Sequence, residues 1–280
     1  MWGSAANHQD KGMKELQGAS MRVALAIEYD GRSFCGWQAQ PSLPTVQVTL
    51  ENALAQMAGH PIRVHSAGRT DSRVHASRQI VHFDTTAHRP LTAWVRGVNS
   101  LLPDTVSVLW AKVVDEKFHA RFSALARHYR YIVHTHPIRP TLLQGKVGWV
   151  HQPLDVTAMQ DAANYLLGEH DFSSFRAAEC QANSPIRVLS KLTLQVDKTL
   201  LICDFSANAF LHNMVRNIMG MLLEIGKHNV PPIWAKTVLD YRAREKAPAT
   251  FMPDGLYLSG VTYPAEFALD SEPAPRYGLW

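Results

Sequence analysis

The chain lacks any run of about 18 uninterrupted apolar residues, the minimum for a membrane-spanning helix, so it reads as a protein that works in water. Its first twenty residues, Met1 to Ser20, are polar and hold no apolar stretch of the kind that directs secretion. The expected compartment is therefore the cytoplasm. Cysteine is scarce. Cys35, Cys180 and Cys203 are odd in number and far apart, which excludes a disulfide framework and a CxxC metal knuckle. Histidine is plentiful, at 14 residues, yet no HExxH and no Cys/His ligand spacing occurs, so no dedicated metal site is expected. Charge of one sign is also in short supply. The net +4 and a pI near 9.0 point only weakly to an anionic partner.

What is present is a hydrophobic pattern sufficient for one large α/β domain or two smaller ones in 280 residues. Residues 1–20 show no hydrophobic period and read as a mobile extension. Val23, Leu25, Ile27 and Tyr29 then alternate, as in a half-buried strand. A helix follows with Val46, Leu50, Leu54 and Met57 at helical spacing and Thr45 placed as its N-cap. Strands are predicted around Ile62–His65, Gln79–Phe83 and Val106–Val114, with a helix near Thr92–Leu101. In the second half, Arg127–His136 reads as a strand and Val156–Leu167 as a helix. Arg187–Val196 and Leu200–Ser206 read as a hairpin turning at Asp197-Lys-Thr199. A very apolar helix, Phe210–Ile225, is expected to end at Gly226, and a helix Ile233–Tyr241 and a strand Leu256–Tyr263 close the pattern. The order suggests two α/β subdomains, 21–118 and 119–265, each a sheet with helices on one face, followed by a tail, 266–280.

Three features carry possible chemistry. Gly68-Arg-Thr-Asp71 sits between two strands and before the apolar run Gln79-Ile-Val-His-Phe83, a rigid mount for one carboxylate. Arg216 lies in the apolar helix and must find an anion, since an unpaired buried charge costs several kcal/mol. Pairing with Asp71 is the hypothesis. Tyr129 and Tyr131 share one face of a strand, where a ring would pack in the core or stack on a nucleobase.

Seven ordered blocks then bring these features together: Tyr29-Asp-Gly31 with Gly36-Trp-Gln38, Ala67-Gly-Arg-Thr-Asp71 with Val74-His-Ala76, Phe118-His-Ala-Arg-Phe-Ser123, Arg127-His-Tyr-Arg-Tyr131, Asp171-Phe-Ser-Ser-Phe-Arg176, Phe210-Leu-His-Asn-Met-Val-Arg-Asn-Ile218 and Gly255-Leu-Tyr-Leu258. Across residues 21–265 the chain resembles the tRNA pseudouridine synthase I (TruA-type) family. That resemblance implies Asp71 as catalytic aspartate, Tyr129 stacking on the target base and Arg216 paired with the aspartate. It implies Arg69 contacting RNA and helping to extrude the nucleotide, and Leu256 or Leu258 lining the pocket. It further implies a homodimer that needs no metal or organic cofactor. That dimer would modify uridines 38, 39 and 40 of the tRNA anticodon stem-loop. The fold implied is two α/β halves whose antiparallel sheets join into one extended sheet, helices on one face and an RNA cleft between the halves.

One departure stands out. The family usually has Gly two residues after the aspartate, where this chain has Arg73. If that position needs positive φ, a side chain there costs about 1 kcal/mol and can tilt Asp71. Alternatively, the turn has another shape and Arg73 contacts phosphate. Two rival readings are a catalytically impaired tRNA-binding protein of the same fold and a metal-dependent hydrolase using some of the histidines.

Overall fold

The computed structural model describes residues 20–269. The expected N-terminal extension lies outside the described residues apart from Ser20. Of the expected tail, residues 266–269 are described, and they pack down: Phe267 meets Phe118 edge-on and Leu269 is buried.

Among the described residues, ten strands form one sheet: β1 (Met21–Tyr29), β2 (His65–Ser66), β3 (His75–Thr85), β4 (Val106–Val114), β5 (Ala126–Thr135), β6 (Gly148–Val150), β7 (Gly168–Asp171), β8 (Ile186–Asp197), β9 (Leu200–Ala207) and β10 (Leu256–Thr262). The spatial order is β4-β1-β3-β10-β5-β9-β8-β7, with β2 beside β3 and β6 beside β5. Every neighbouring pair along that path is antiparallel except β3–β10. At this seam the two halves meet through His75 opposite Tyr257 and Ala76 opposite Leu258. The expected joined sheet is therefore present, and its seam lies at the start of β3, directly after the Asp71 loop.

The α-helices of the same residues, α1 (Val46–Ala58), α2 (Val156–Asn164), α3 (Met214–Gly226) and α4 (Trp234–Tyr241), pack with the main core. The helix expected near Thr92–Leu101 contains a wide π turn, Ala93–Gly97, that drives Trp94 edge-on against Phe83. Strand β1 is not half-buried as its alternation predicts. Val23, Leu25 and Ile27 enter the main core, while Ala24 and Ala26 face a second cluster built on Ile80, Phe118 and Tyr263. Both faces of the sheet are covered there, and alanine fills the shallower side. The strand expected at Ile62–His65 forms only as His65–Ser66. The hairpin turn is as read, with Lys198 in the left-handed region.

Two helix ends differ from expectation. Thr45 occupies the N-cap position of α1, but its side chain makes no capping bond. Helix α3 starts at Met214, four residues later than the apolar pattern suggests, because Asn213 adopts φ +61 and breaks the helical path. Asparagine tolerates that conformation better than most residues. Helix α3 does end at Gly226, with Lys227 as its cap. A Cβ at Gly226 would lie 2.6 Å from the Met159 sulfur, so its bareness serves the packing of α2 on α3.

A buried histidine contributes to the response to acid. His82 on β3 is 1% exposed, accepts the Ala120 N–H at Nδ1 (3.1 Å), stacks on His65 and meets His119 edge-on. Burial, reinforced by His119, Arg22 and His65, pushes its pKa down to about 3 from 6.5. In this window the unfolded chain takes up a proton that the folded chain refuses. The histidine therefore costs nothing above about pH 6.5 and erodes stability as pH falls toward 3, by at most about 1.4 kcal/mol per unit. Urea unfolding is expected to show His82→Asn losing less stability between neutral pH and about pH 5 than wild type does.

Candidate active site

The segment between β2 and β3 is pinned on both sides before it reaches Asp71. Ala67 N–H bonds Ile80 O (2.8 Å), and Gln79 Nε2 donates to Gly68 O (2.6 Å). Trp37 N–H bonds Thr70 O (3.0 Å), and the Thr70 hydroxyl meets the Tyr29 hydroxyl at 2.8 Å. Gly36 is needed for this approach: at φ +91, a Cβ would stand 2.8 Å from Thr70 O. The glycine-containing Gly36-Trp-Gln38 block thus serves as the wall against which the aspartate loop is pressed.

From the other half of the chain, α3 and the turn before it face the carboxylate. Arg216 Nη1 lies 3.1 Å from Asp71 Oδ2, and His212 Nε2 lies 3.4 Å from Oδ1. The guanidinium is itself held, with Nη1 donating to Asn213 Oδ1 (2.8 Å) and Nε to Phe251 O (3.0 Å). Arg216 is only 17% exposed in its side chain, and the Asp71 side chain 21%. The carboxylate is therefore ordered by a fixed cation while one edge stays open. His212 and Asn213 reach this position from the turn that precedes Met214, the first residue of α3.

The remaining named residues fall into place unequally. Tyr129 lies on the cleft wall, edge-to-face with Phe210 at 5.1 Å, and its hydroxyl makes no hydrogen bond among the described residues. Burial, with Tyr29 and Asp71 nearby, pushes its phenol pKa far up, so the ring stays neutral. Tyr131, on the same strand face, is wholly buried and bonds Met252 O; it is core. Arg69 is exposed on the cleft wall. Leu258 does not reach the cleft. It is 0% exposed, caught between Tyr129 of β5 and Ala76 of β3, whereas Leu256, at the open end of β10, lines the cavity. Of the two leucines, Leu256 is therefore the one that lines the cleft.

The cleft has a volume of about 900 Å³. Arg63, Arg69, Arg121 and Arg187 line it against only two acids among the described residues, Asp71 and Glu179. Such a lining suits a polyanion, and the single clamped carboxylate can serve as nucleophile or base. Among the described residues, no three His, Cys, Asp or Glu side chains are grouped to hold a metal ion.

The family profile described as "tRNA pseudouridine synthase" matches residues 25–123 and 162–264, both walls of this cleft. The chain belongs to the tRNA pseudouridine synthase family. It is 59% identical to the tRNA pseudouridine synthase A of Chromobacterium violaceum over 252 residues, covering 90% of this chain and 96% of that protein. Against the protein of the same name from Methylobacillus flagellatus, identity is 56% over 243 residues, or 87% and 93% of the two chains. A third such protein, from Thiobacillus denitrificans, is 56% identical over 249 residues, 89% of this chain and 96% of its own. Membership makes the chain an isomerase that forms pseudouridine in tRNA.

For a tRNA pseudouridine synthase, Arg73 is the odd residue, and the structure explains how it is accommodated. Its φ is +67, the conformation that favours the usual glycine. The guanidinium grips Asp254 beside the β3–β10 seam, with Nη2 3.0 and 3.3 Å and Nε 3.2 Å from the carboxylate oxygens. The strain costs about 1 kcal/mol, and an ion pair this exposed contributes up to about 1 kcal/mol, so the two nearly offset. Arg73→Gly is expected to keep at least wild-type turnover, with stability changed by less than about 1 kcal/mol. A large loss in a single-turnover assay would instead show Arg73 acting on the RNA itself.

Proposed function

We propose that the enzyme converts uridines 38, 39 and 40 of the tRNA anticodon stem-loop to pseudouridine, with Asp71 as the catalytic residue and no metal or organic cofactor. The observation that carries this reading is the Asp71 carboxylate, clamped by Arg216 and His212 beside Tyr129 inside a basic cleft. The reaction breaks the N1–C1′ bond, turns the uracil and joins C5 to C1′; N1 gains a proton and C5 loses one. No electron leaves, so one carboxylate and a site that retains the free base are enough. Asp71 attacks the sugar or the base, or removes a ribose proton; each route needs a fixed, open carboxylate. Tyr129 supplies the stacking surface that keeps the detached uracil in place, and Leu256 closes the pocket beside it. Arg69 contacts the backbone as the nucleotide leaves its stack, a step costing a few kcal/mol. Arginine contacts to phosphate offset that cost.

A homodimer and an RNA cleft between the halves belong to the same reading and rest on the family resemblance, while the cytoplasmic setting and the division at 118/119 rest on the sequence pattern. The test is pseudouridine formation in unmodified tRNA transcripts carrying uridine at 38–40, with chelator present. Product is expected at those positions. Folded protein that binds the transcripts but yields none would favour a tRNA-binding role.

A further inference from the structure

We propose that Phe122 is a second base-stacking platform, which receives an unpaired base of the RNA other than the uridine being isomerised. This rests on the reading of the cleft as a tRNA site. The Phe122 side chain is 75% exposed, more than any other large hydrophobic of the described residues except Leu142. Exposure alone would mean little, since single apolar side chains often face water. What sets Phe122 apart is that it is exposed on the wall of the basic cleft and still held rigidly.

The holding is layered. The Phe122 ring is tilted against His119, centroids 4.4 Å apart and planes 35° apart, and the Arg121 guanidinium carbon lies over the ring, 5.5 Å from its centre. His119 Nδ1 accepts the backbone N–H groups of Arg121 (3.1 Å) and Phe122 (3.3 Å). His119 in turn packs edge-on against buried His82 at 4.6 Å. Below the turn, Arg127 donates to the carbonyls of Ala67 (3.0 and 3.2 Å), Ala124 (3.1 Å) and Arg121, tying the turn to the strand that leads into Asp71. A ring held this way and still 75% exposed can accept another planar ring once the Arg121 guanidinium that lies over it swings to the adjoining phosphate.

Tyr129 and Phe122 cannot serve one base in the same manner. Tyr129 is 9% exposed and sits against Phe210 beside the carboxylate, while Phe122 stands out at the rim. A cleft of about 900 Å³ is larger than one nucleobase needs. When the target base leaves its stack, its neighbour loses a stacking partner, and the rim ring replaces it.

The test uses the full-length protein and tRNA transcripts. Phe122→Ala is expected to raise KM roughly 10- to 100-fold with kcat changed less than about 3-fold, the size of one lost base–aromatic stack. Phe122→Trp is expected to restore KM, and Phe122→Leu, which keeps the apolar contact with His119, is not. In the Asp71→Asn background, a 2-aminopurine beside the target uridine is expected to change fluorescence on binding when Phe122 is present, and not when Phe122→Leu is added. Unchanged KM in Phe122→Ala, or full recovery by leucine, overturns the proposal. If wild type makes no pseudouridine, the catalytic reading fails, but the fluorescence comparison still decides whether the ring receives a base.

Discussion

Asp71→Ala is expected to abolish pseudouridine formation, lowering single-turnover rates by roughly 10⁴-fold or more, the scale of removing the reacting group from a site. The fold should survive the change. Arg216 keeps its bonds to Asn213 and Phe251 but loses its counter-ion, so a cost of roughly 2–3 kcal/mol in stability is expected. The loop also keeps its backbone anchors, including Trp37 to Thr70 at 3.0 Å and Val74 to Asp71 O at 3.2 Å, which do not involve the side chain. Binding of tRNA, measured by filter retention at fixed salt, is therefore expected to stay near wild type. Product formed equally by wild type and variant would mean that another group does the chemistry. Loss of binding along with turnover would mean the carboxylate organises the cleft rather than the reaction.

Arg216→Ala is the second large effect, and it acts on both stability and rate. The arginine joins three groups: the Asp71 carboxylate, the Asn213 side chain and the Phe251 carbonyl. Its removal leaves a part-buried carboxylate with, among the described residues, His212 at 3.4 Å as its one remaining side-chain partner, and an unmatched carbonyl. The expected cost is about 2–3 kcal/mol of folding stability and roughly 100-fold in turnover, since an unclamped carboxylate samples unproductive orientations. Lysine is not an adequate substitute. One ammonium at the end of a flexible stem cannot reproduce the planar fork that reaches all three acceptors. Arg216→Lys is accordingly expected to recover stability in a thermal melt more than it recovers turnover, and equal recovery of both would contradict the fork geometry.

Much of this was legible in the chain. The two-residue period gives Val106–Val114 with the bounds the structure shows, and gives the hairpin around Lys198, because a sheet forces alternate residues to opposite faces. The same rule misreads β1, where both faces are covered and alternation of size, not polarity, is what remains. For α3 the apolar run marks the buried helix but not its start, since apolar Phe210 and Leu211 can pack equally well from a turn. The apolar run therefore puts His212 inside the helix, whereas it lies in the turn before Met214. The exposed ring at Phe122 gave no signal beyond its motif, because rigidity in water is a property of the His119 and Arg127 contacts around it.

By itself the sequence determined the elements, the family and the groups available for chemistry: one aspartate in a pinned loop, one arginine that could not stay unpaired, and a glycine position occupied by Arg73. The elements and the unpaired arginine follow from local rules of period and the cost of burying charge, while the family and the glycine position follow from the resemblance carried by the seven blocks. Only the tertiary structure decided which groups meet. Asp71 and Arg216 are 145 positions apart, and they touch because the β3–β10 seam brings one half's loop against the other half's helix. The same seam buries Leu258 and leaves Leu256 at the cleft, a distinction two residues of identical type on one strand face cannot reveal. Contact across a seam depends on register between distant strands, and register is fixed by the whole packed core rather than by any segment of it.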